Sequence, residues 1–205
     1  MMLLALETSA AVASVALLSD GSVLDELVCD AGRKHAETVP PAVDALLRRA
    51  GVSLGAVDVF AVDVGPGSFT GVRIGVCMAN AFALSCDRMV IPVDALAALY
   101  EPHRGEPGLF CTLVDARNGN AYAAQFRDGR CVEPPRAVEV APYCAGLPEA
   151  RFVGDVPDLC DPVARPSAAS VGLAAFGRTA QAAAQVAPLY LRPSQAERMA
   201  GEKRP

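Results

Sequence analysis

The sequence has 205 residues, 52% of them hydrophobic, and a chain of this size can bury about 70% of its unfolded surface in one domain or in two small lobes. No apolar run reaches the roughly 18 to 20 residues that cross a bilayer, and no basic segment precedes the first apolar residues as in a signal peptide, so we expect a cytoplasmic protein. The formal net charge of −5 argues against a protein that holds RNA phosphates by itself.

The chain begins with a predicted antiparallel meander of three strands. Apolar residues fill 3–7, 12–19 and 23–29, and Asp20-Gly21 marks the second turn. The spacing of the apolar residues then changes. From Val39 to Ala50 the apolar residues recur at three- and four-residue steps, which predicts an amphipathic helix that ends at Gly51.

The next segments predict alternating strands and helices. Residues 57–64 are nearly all apolar, which is typical of a strand buried on both faces. The loop 65–75 opens a second long helix that runs to about Cys86, and a strand at 89–93 leads to a short helix capped by Asp94. The order β-β-β-α-β-α-β is that of a ribonuclease H-like lobe.

The second half of the sequence repeats the meander in a reduced form. The segment 101–108 is rich in proline, glycine and charge, so we place a lobe boundary there. A hairpin follows over Asn118-Gly119, and a second turn at Asp128-Gly129 leads into 131–133. We therefore predict an α/β fold of two lobes, residues 1–102 and a smaller 103–205. Residues 134–166 are rich in proline and contain one predicted strand fragment, Phe152-Val153. An Ala-rich helix is predicted at 167–185, followed by a polar tail from Gln195. We expect the final segment to pack back on the first lobe.

The loop before the second helix, called here the signature loop, is the most informative segment. Its glycines allow close backbone approach, and Ser68 or Thr70 can cap the helix, whose free N–H groups suit an anion. The lysine of a Walker loop is missing, and a tight strand-to-helix connection without a ligand explains the pattern equally well. The loop comprises Gly65, Pro66, Gly67, Ser68, Phe69, Thr70, Gly71 and Arg73.

Small residues recur every four positions along the second helix. Residues four apart share one helical face, so Gly71, Gly75, Ala79 and Ala83 form a small-residue stripe that another element can approach closely. The approaching element is either the protein's own sheet or a helix of a partner.

The sequence predicts no catalytic or metal-binding centre. His35 and His103 are far apart and form no HExxH motif, and no GxSxG elbow accompanies Ser68. The seven cysteines are odd in number and lack a CxxC pair, which indicates reduced thiols. Glu7, Thr8 and Ser9 occupy the tip of the first hairpin, where we expect a structural turn or a degenerate phosphate-binding turn.

Several of these segments together resemble the TsaB family, also called YeaZ, of the actin-like ASKHA superfamily. The matching segments lie in both halves and in the family's order. They are LLALETSAAVASVAL, RKHAETVPPAVDALLRRAG, AVDVGPGSFTGVRIG, PVDALAAL, LVDARNGNAY and APLYLRP.

The resemblance implies two ribonuclease H-like lobes and a non-catalytic role in forming N6-threonylcarbamoyladenosine (t6A) beside the anticodon of tRNAs reading codons that begin with A. It implies that the chain binds a TsaD-type transferase through its first-lobe helices, that a TsaE-type ATPase joins them, and that tRNA is reached only through the complex. No cofactor is expected on this chain alone; ATP or ADP is expected at most in the assembled complex, and a homodimer can replace the partner. The implied interface residues are His35, Val39, Val43, Leu46, Leu47, Gly71, Gly75, Ala79 and Ala83.

The sequence departs from the family pattern at three positions. Glu7 stands where Asp is usual, Ala36 where Ser often follows the His, and Asn120 where an acid often follows the DAR turn. These changes argue against a nucleotide role for this subunit and leave the helix pair untouched. The alternatives are a stand-alone actin-like ATPase or kinase and a glycoprotease-like metallopeptidase, and the two separated histidines oppose the latter.

Overall fold

The computed structural model of the protein describes residues 1–29, 34–160 and 162–192, so the predicted tail from Gln195 lies outside the described residues. The first half contains eight helices and strands in the predicted order. They are β1 (Met2–Glu7), β2 (Ala13–Ser19), β3 (Ser22–Cys29), α1 (His35–Ala50), β4 (Val59–Asp63), α2 (Phe69–Cys86), β5 (Met89–Val93) and α3 (Ala95–Tyr100).

The first sheet has five strands in the order β3-β2-β1-β4-β5. Strand β1 pairs antiparallel with β2 and parallel with β4, and β4 pairs parallel with β5. Leu4, Leu6 and Phe60 pack with α1 and α2 on one face, while Leu3 and Ala5 belong to a separate core on the other face. The central strands are thus buried on both faces, which explains their unbroken apolar sequences.

The second sheet has four strands in the order β8-β7-β6-β9. The hairpin between β6 and β7 turns at Asn118 and Gly119, both with positive φ, as predicted. The sequence prediction ended the next strand at 133, but β8 continues through Pro134 and Pro135 to Glu139. Because β8 is an edge strand, prolines are tolerated there. The elements are β6 (Leu109–Arg117), β7 (Asn120–Arg127), β8 (Arg130–Glu139), α4 (Val140–Ala145), β9 (Arg151–Gly154) and α5 (Ala168–Phe176).

Helix α5 lies on the first sheet and not on the second. Ala168, Val171 and Ala175 are fully buried against the core that contains Leu3 and Ala5. The sequence predicts 103–205 as the second lobe with a final segment that packs back on the first, and α5 is a part of this region that packs on the first sheet. The predicted helix 167–185 also ends early, at Phe176, because Gly177 follows and the chain then turns.

Residues 182–192, called here the C-terminal strap, run along the first lobe and reach the second. Ala183 bridges to Val90 of β5, and the Leu189 amide donates to the Val64 carbonyl at 2.8 Å. Arg192 then donates to the Asn120 side chain of the second-lobe hairpin at 2.9 Å. The strap therefore connects the two lobes along the side of α2.

We expect Asn80→Ala to destabilise the protein by loosening this strap. The Asn80 side chain donates to the Val186 carbonyl at 2.9 Å and accepts from the Val186 amide at 3.0 Å. Loss of both bonds should cost about 2 kcal/mol, which lowers the melting temperature by about 4 to 8 °C in a thermal scan. Gln185→Ala on the exposed side of the strap is the matched control, and equal melting temperatures for the two variants would contradict the prediction.

Helix α2 is long and apolar enough, by length and composition, to cross a membrane, which the sequence analysis did not expect. In this fold its small residues are buried against the first sheet. The same length and composition are therefore those of a core helix in a globular lobe.

Candidate functional site

The signature loop is fixed to the hairpin tip of the first strands. The Ser68 amide donates to the Ser9 carbonyl at 2.8 Å, and the Ser68 hydroxyl accepts from the Gly71 amide at 3.3 Å as the helix cap. A Cβ at Gly67 would lie 2.7 Å from the Ser9 Cβ. Glycine is therefore required at 67 because the loop and the hairpin tip approach too closely for a side chain.

The small-residue stripe of α2 faces this same hairpin tip. A Cβ at Gly71 would lie 2.0 Å from the Thr8 carbonyl oxygen, and one at Gly75 would lie 2.3 Å from the Thr8 hydroxyl oxygen. Ala79 and Ala83 are fully buried in the first-lobe core. The stripe packs on the protein's own strands, which is one of the two alternatives that the sequence left open.

The α1 residues of the implied interface are buried as well. His35, Val39, Val43, Leu46 and Leu47 are at most 7% exposed and pack toward the first sheet. Apolar periodicity selects the face of a helix that meets its own core, so the residues it singles out are those that a partner cannot reach.

The opposite faces of α1 and α2 are open to solvent and lie side by side. Leu84 is 73% exposed, and both helices also carry exposed small or rigid side chains, together with charged ones such as Arg48 and Arg73. None of these residues is among the interface residues predicted from the sequence, although those of α2 fall between the stripe positions at helical spacing. We call this surface the outer helix face, formed by Pro40, Pro41, Ala45, Cys77, Ala81 and Leu84.

Glu7, predicted as part of a degenerate phosphate turn, points into the protein. Its Oε1 accepts from the amides of Ser9 at 2.6 Å and Ala10 at 3.0 Å, and it contacts the Ser9 hydroxyl. The same hydroxyl contacts Asp63 at the end of β4, which the sequence analysis did not single out. Burial, followed by the neighbouring Asp63, raises the pKa of Glu7 to about 8, and burial raises the pKa of Asp63 to about 7.

A cleft of about 500 Å³ separates the two lobes beside this turn. Ser68 and Thr70 at the start of α2 line one wall, so the helix start predicted as an anion site faces the cleft. The second lobe contributes Asp115, Arg117 and Asp155, which gives the cleft mixed charge. Glu7 does not line it, because its carboxyl group is bonded inside its own turn.

The seven cysteines lie in the described residues and are not paired with one another there. Within residues 1–29, 34–160 and 162–192, no three His, Cys, Asp or Glu side chains come together as a ligand set for a metal ion. His35 is held by its Nε2, 3.2 Å from the Ala10 carbonyl, and His103 contacts Glu106 in the second lobe. The two histidines therefore serve separate local contacts.

Comparison with known proteins identifies the family. A family model described as "TsaD: tRNA N6-adenosine threonylcarbamoyltransferase" matches residues 29–133. The structure of YeaZ from Pseudomonas aeruginosa superposes with a TM-score of 0.78 at 31% identity, covering 93% of this chain and 99% of that one. The TsaB protein of Bacillus subtilis is 33% identical over 73% of this chain and 67% of its own length. The chain belongs to the TsaB family. The predicted α/β fold is confirmed by the same structural match.

The curated TsaB relatives are longer than the part matched here. The TsaB protein of Haemophilus influenzae is 40% identical over 60% of this chain and 52% of its own length. The chain thus spans about half to two thirds of the length of these relatives. Both are named tRNA threonylcarbamoyladenosine biosynthesis proteins.

Proposed function

We propose that this chain is a subunit required to form t6A next to the anticodon of tRNAs reading codons that begin with A, and that it acts by binding and stabilising a TsaD-type transferase. Membership of the TsaB family supports the pathway, because its relatives carry that name. The observation that carries the proposed role is the outer helix face, where two helices expose small and apolar side chains between charged ones.

The match to the TsaD family model supports the proposed partner. The matched residues 29–133 contain all of α1 and α2, so a TsaD-type protein should have a counterpart of this helix pair. Two related helix pairs can pack face to face about an approximate twofold axis. Ala45, Cys77 and Ala81 would allow the helices of such a partner to approach closely, and Leu84 would fill a pocket between them.

We propose further that the chain binds no nucleotide by itself. The Glu7 carboxyl group is occupied within its own turn, so the hairpin tip offers no carboxylate to a nucleotide or its metal in the cleft. In this proposal ATP or ADP binds only in the assembled complex, where a TsaE-type ATPase joins and through which tRNA is reached. The complex works in the cytoplasm, and the outer helix face supports a homodimer when the partner is absent.

Depletion of the protein should test the pathway. We expect cells depleted of the chain to lose t6A from total tRNA, measured by mass spectrometry of nucleosides, and to regain it on re-expression. In a purified system the rate of threonylcarbamoyl transfer to tRNA should rise as the chain is added. The rate should level off at one chain per transferase, because a stabilising subunit acts by forming a one-to-one complex. Unchanged t6A after depletion would remove the proposal.

Calorimetry separates the alternative of a stand-alone actin-like ATPase or kinase. We expect no heat of binding when Mg-ATP is titrated into the isolated chain. Strong binding accompanied by turnover would favour the alternative over an assembly role.

A further inference from the structure

A chain of three oxygen atoms joins Glu7, Ser9 and Asp63 inside the first lobe. The Ser9 Oγ lies 2.8 Å from Glu7 Oε1 and 2.7 Å from Asp63 Oδ2, and both distances are those of O–H···O hydrogen bonds. All three side chains are buried, and both carboxyl groups are fully excluded from solvent. The chain lies where the ends of β1 and β4 meet beneath the signature loop.

Counting hydrogens shows that this chain contains a bound proton. A serine hydroxyl has one hydrogen and can donate it to one of the two carboxyl oxygens. The second short O···O contact needs another hydrogen, which an ionised carboxylate cannot supply. Two bare carboxylates around one hydroxyl would leave two acceptors facing each other at a buried position.

The bonding pattern indicates where the hydrogen fits best. Glu7 Oε1 already accepts from two backbone amides, whereas the one hydrogen-bond partner of Asp63 Oδ2 within the described residues is Ser9. Asp63 Oδ1 accepts from the Gly65 amide at 2.7 Å. A hydrogen on Asp63 Oδ2 therefore satisfies every short contact, although burial raises the pKa of both acids and Glu7 Oε2 has no hydrogen-bond partner among the described residues.

We propose that Glu7, Ser9 and Asp63 form a proton-holding latch, in which a hydrogen bound between two carboxyl groups fastens the hairpin tip to β4 and keeps the signature loop closed. The loop is connected to the latch at both ends. Gly65 is bonded to Asp63, and Ser68 is bonded to the Ser9 carbonyl. Loss of the hydrogen leaves two buried carboxylates in one site, so their repulsion opens the latch and loosens the start of α2.

Other titratable groups surround the latch and must be separated from it in any pH experiment. Asp94 at the start of α3 raises the pKa of Asp63 by its charge, and Arg178 is bound to Asp94 at 3.0 Å. His35 of α1 contacts the turn through the Ala10 carbonyl. From the cleft, the charged residues nearest Ser9 and Ala10 are Asp115, Arg117, Asp155 and Arg165.

The sign of the pH dependence follows from the raised pKa values. Both acids bind a proton more tightly in the folded state than in the unfolded state, where their pKa values are 4.5 and 3.8. The latch therefore stabilises the fold fully below these unfolded-state values, and its contribution falls progressively as the pH rises from about 4 and is lost once the pH has passed about 7 to 8. Each proton released on unfolding in that range changes the unfolding constant about tenfold per pH unit.

Infrared spectroscopy of the isolated wild-type chain tests the bound hydrogen directly. At about pH 6 exposed carboxyl groups are ionised, so the carbonyl band of a protonated acid should come from the latch, and the band should vanish by about pH 9.5. Asp63→Asn should weaken or remove the band at about pH 6. Absence of a protonated-acid band in the wild-type protein at that pH would overturn the proposal.

The stability of Asp63→Asn supplies a second test. An asparagine amide at this position can donate to the Ser9 Oγ and still accept from Gly65, so it reproduces the protonated acid. Between about pH 6 and pH 9 the unfolding constant of the wild type should rise at least tenfold more than that of Asp63→Asn. At about pH 9, Asp63→Asn should therefore be the more stable of the two proteins. Asp44→Asn on exposed α1 is the control and should follow the wild type. A variant that is less stable than the wild type by the same factor at every pH would contradict the latch.

Discussion

Gly71→Ala is expected to lower the free energy of unfolding by about 3 kcal/mol, although alanine is the better helix former. The added methyl carbon would lie 2.0 Å from the Thr8 carbonyl oxygen, which belongs to the backbone and cannot move aside as a flexible side chain could. The displacement would also break the 2.8 Å bond from the Thr8 hydroxyl to the Gly71 carbonyl. In a thermal scan this corresponds to a loss of about 6 to 12 °C in melting temperature.

Gly55→Ala is the matched control for this measurement. A Cβ at Gly55 meets nothing within 4 Å, so alanine there should leave the melting temperature unchanged or slightly raised. If Gly71→Ala were as stable as Gly55→Ala, α2 would not approach the hairpin tip as closely as described.

A larger side chain on the same stripe should have a stronger effect, because the stripe is buried. Gly75→Leu should unfold the first lobe rather than block a partner selectively, because Gly75 faces Thr8.

Leu84→Arg is expected to weaken binding of the proposed TsaD-type partner at least 30-fold without changing the fold. Leu84 is 73% exposed in the isolated chain, so an arginine there costs little in stability. In the proposed complex the same position would be buried among apolar helices, and a central apolar residue of such an interface contributes about 2 kcal/mol or more. Titration calorimetry with the purified partner measures the affinity, and a thermal scan of the free chain checks the fold.

Leu24→Arg is the control for the binding measurement. Leu24 is also a highly exposed leucine, at 53%, but it lies on β3 and is not part of the outer helix face. It should bind the partner like the wild type. Equal losses in the two variants would indicate a general effect of added charge, and no loss at Leu84 would place the interface elsewhere while leaving the proposed pathway open to the t6A measurement.

The local elements were predictable because each depends on nearby residues. Alternating and unbroken apolar runs give the strands, three- and four-residue steps give α1, and Gly51 ends it in the left-handed conformation as expected. The Asn118-Gly119 turn is equally local. The C-terminal segments were less predictable. An Ala-rich helix such as α5 can pack on either sheet, because the spacing of its apolar residues does not specify which sheet it meets.

In the candidate site, too, some features follow from the sequence and others depend on the tertiary structure. The sequence by itself determined that residues 71, 75, 79 and 83 share a bare helical face, that the signature loop requires close backbone approach, and that the chain resembles one family. Only the tertiary structure decided that this face meets Thr8 and the protein's own sheet, that a partner can reach only the opposite face, and that Glu7 meets Asp63 across 56 residues of sequence. The physical reason is that helical periodicity fixes which side chains point the same way, whereas the neighbour they meet depends on long-range strand pairing.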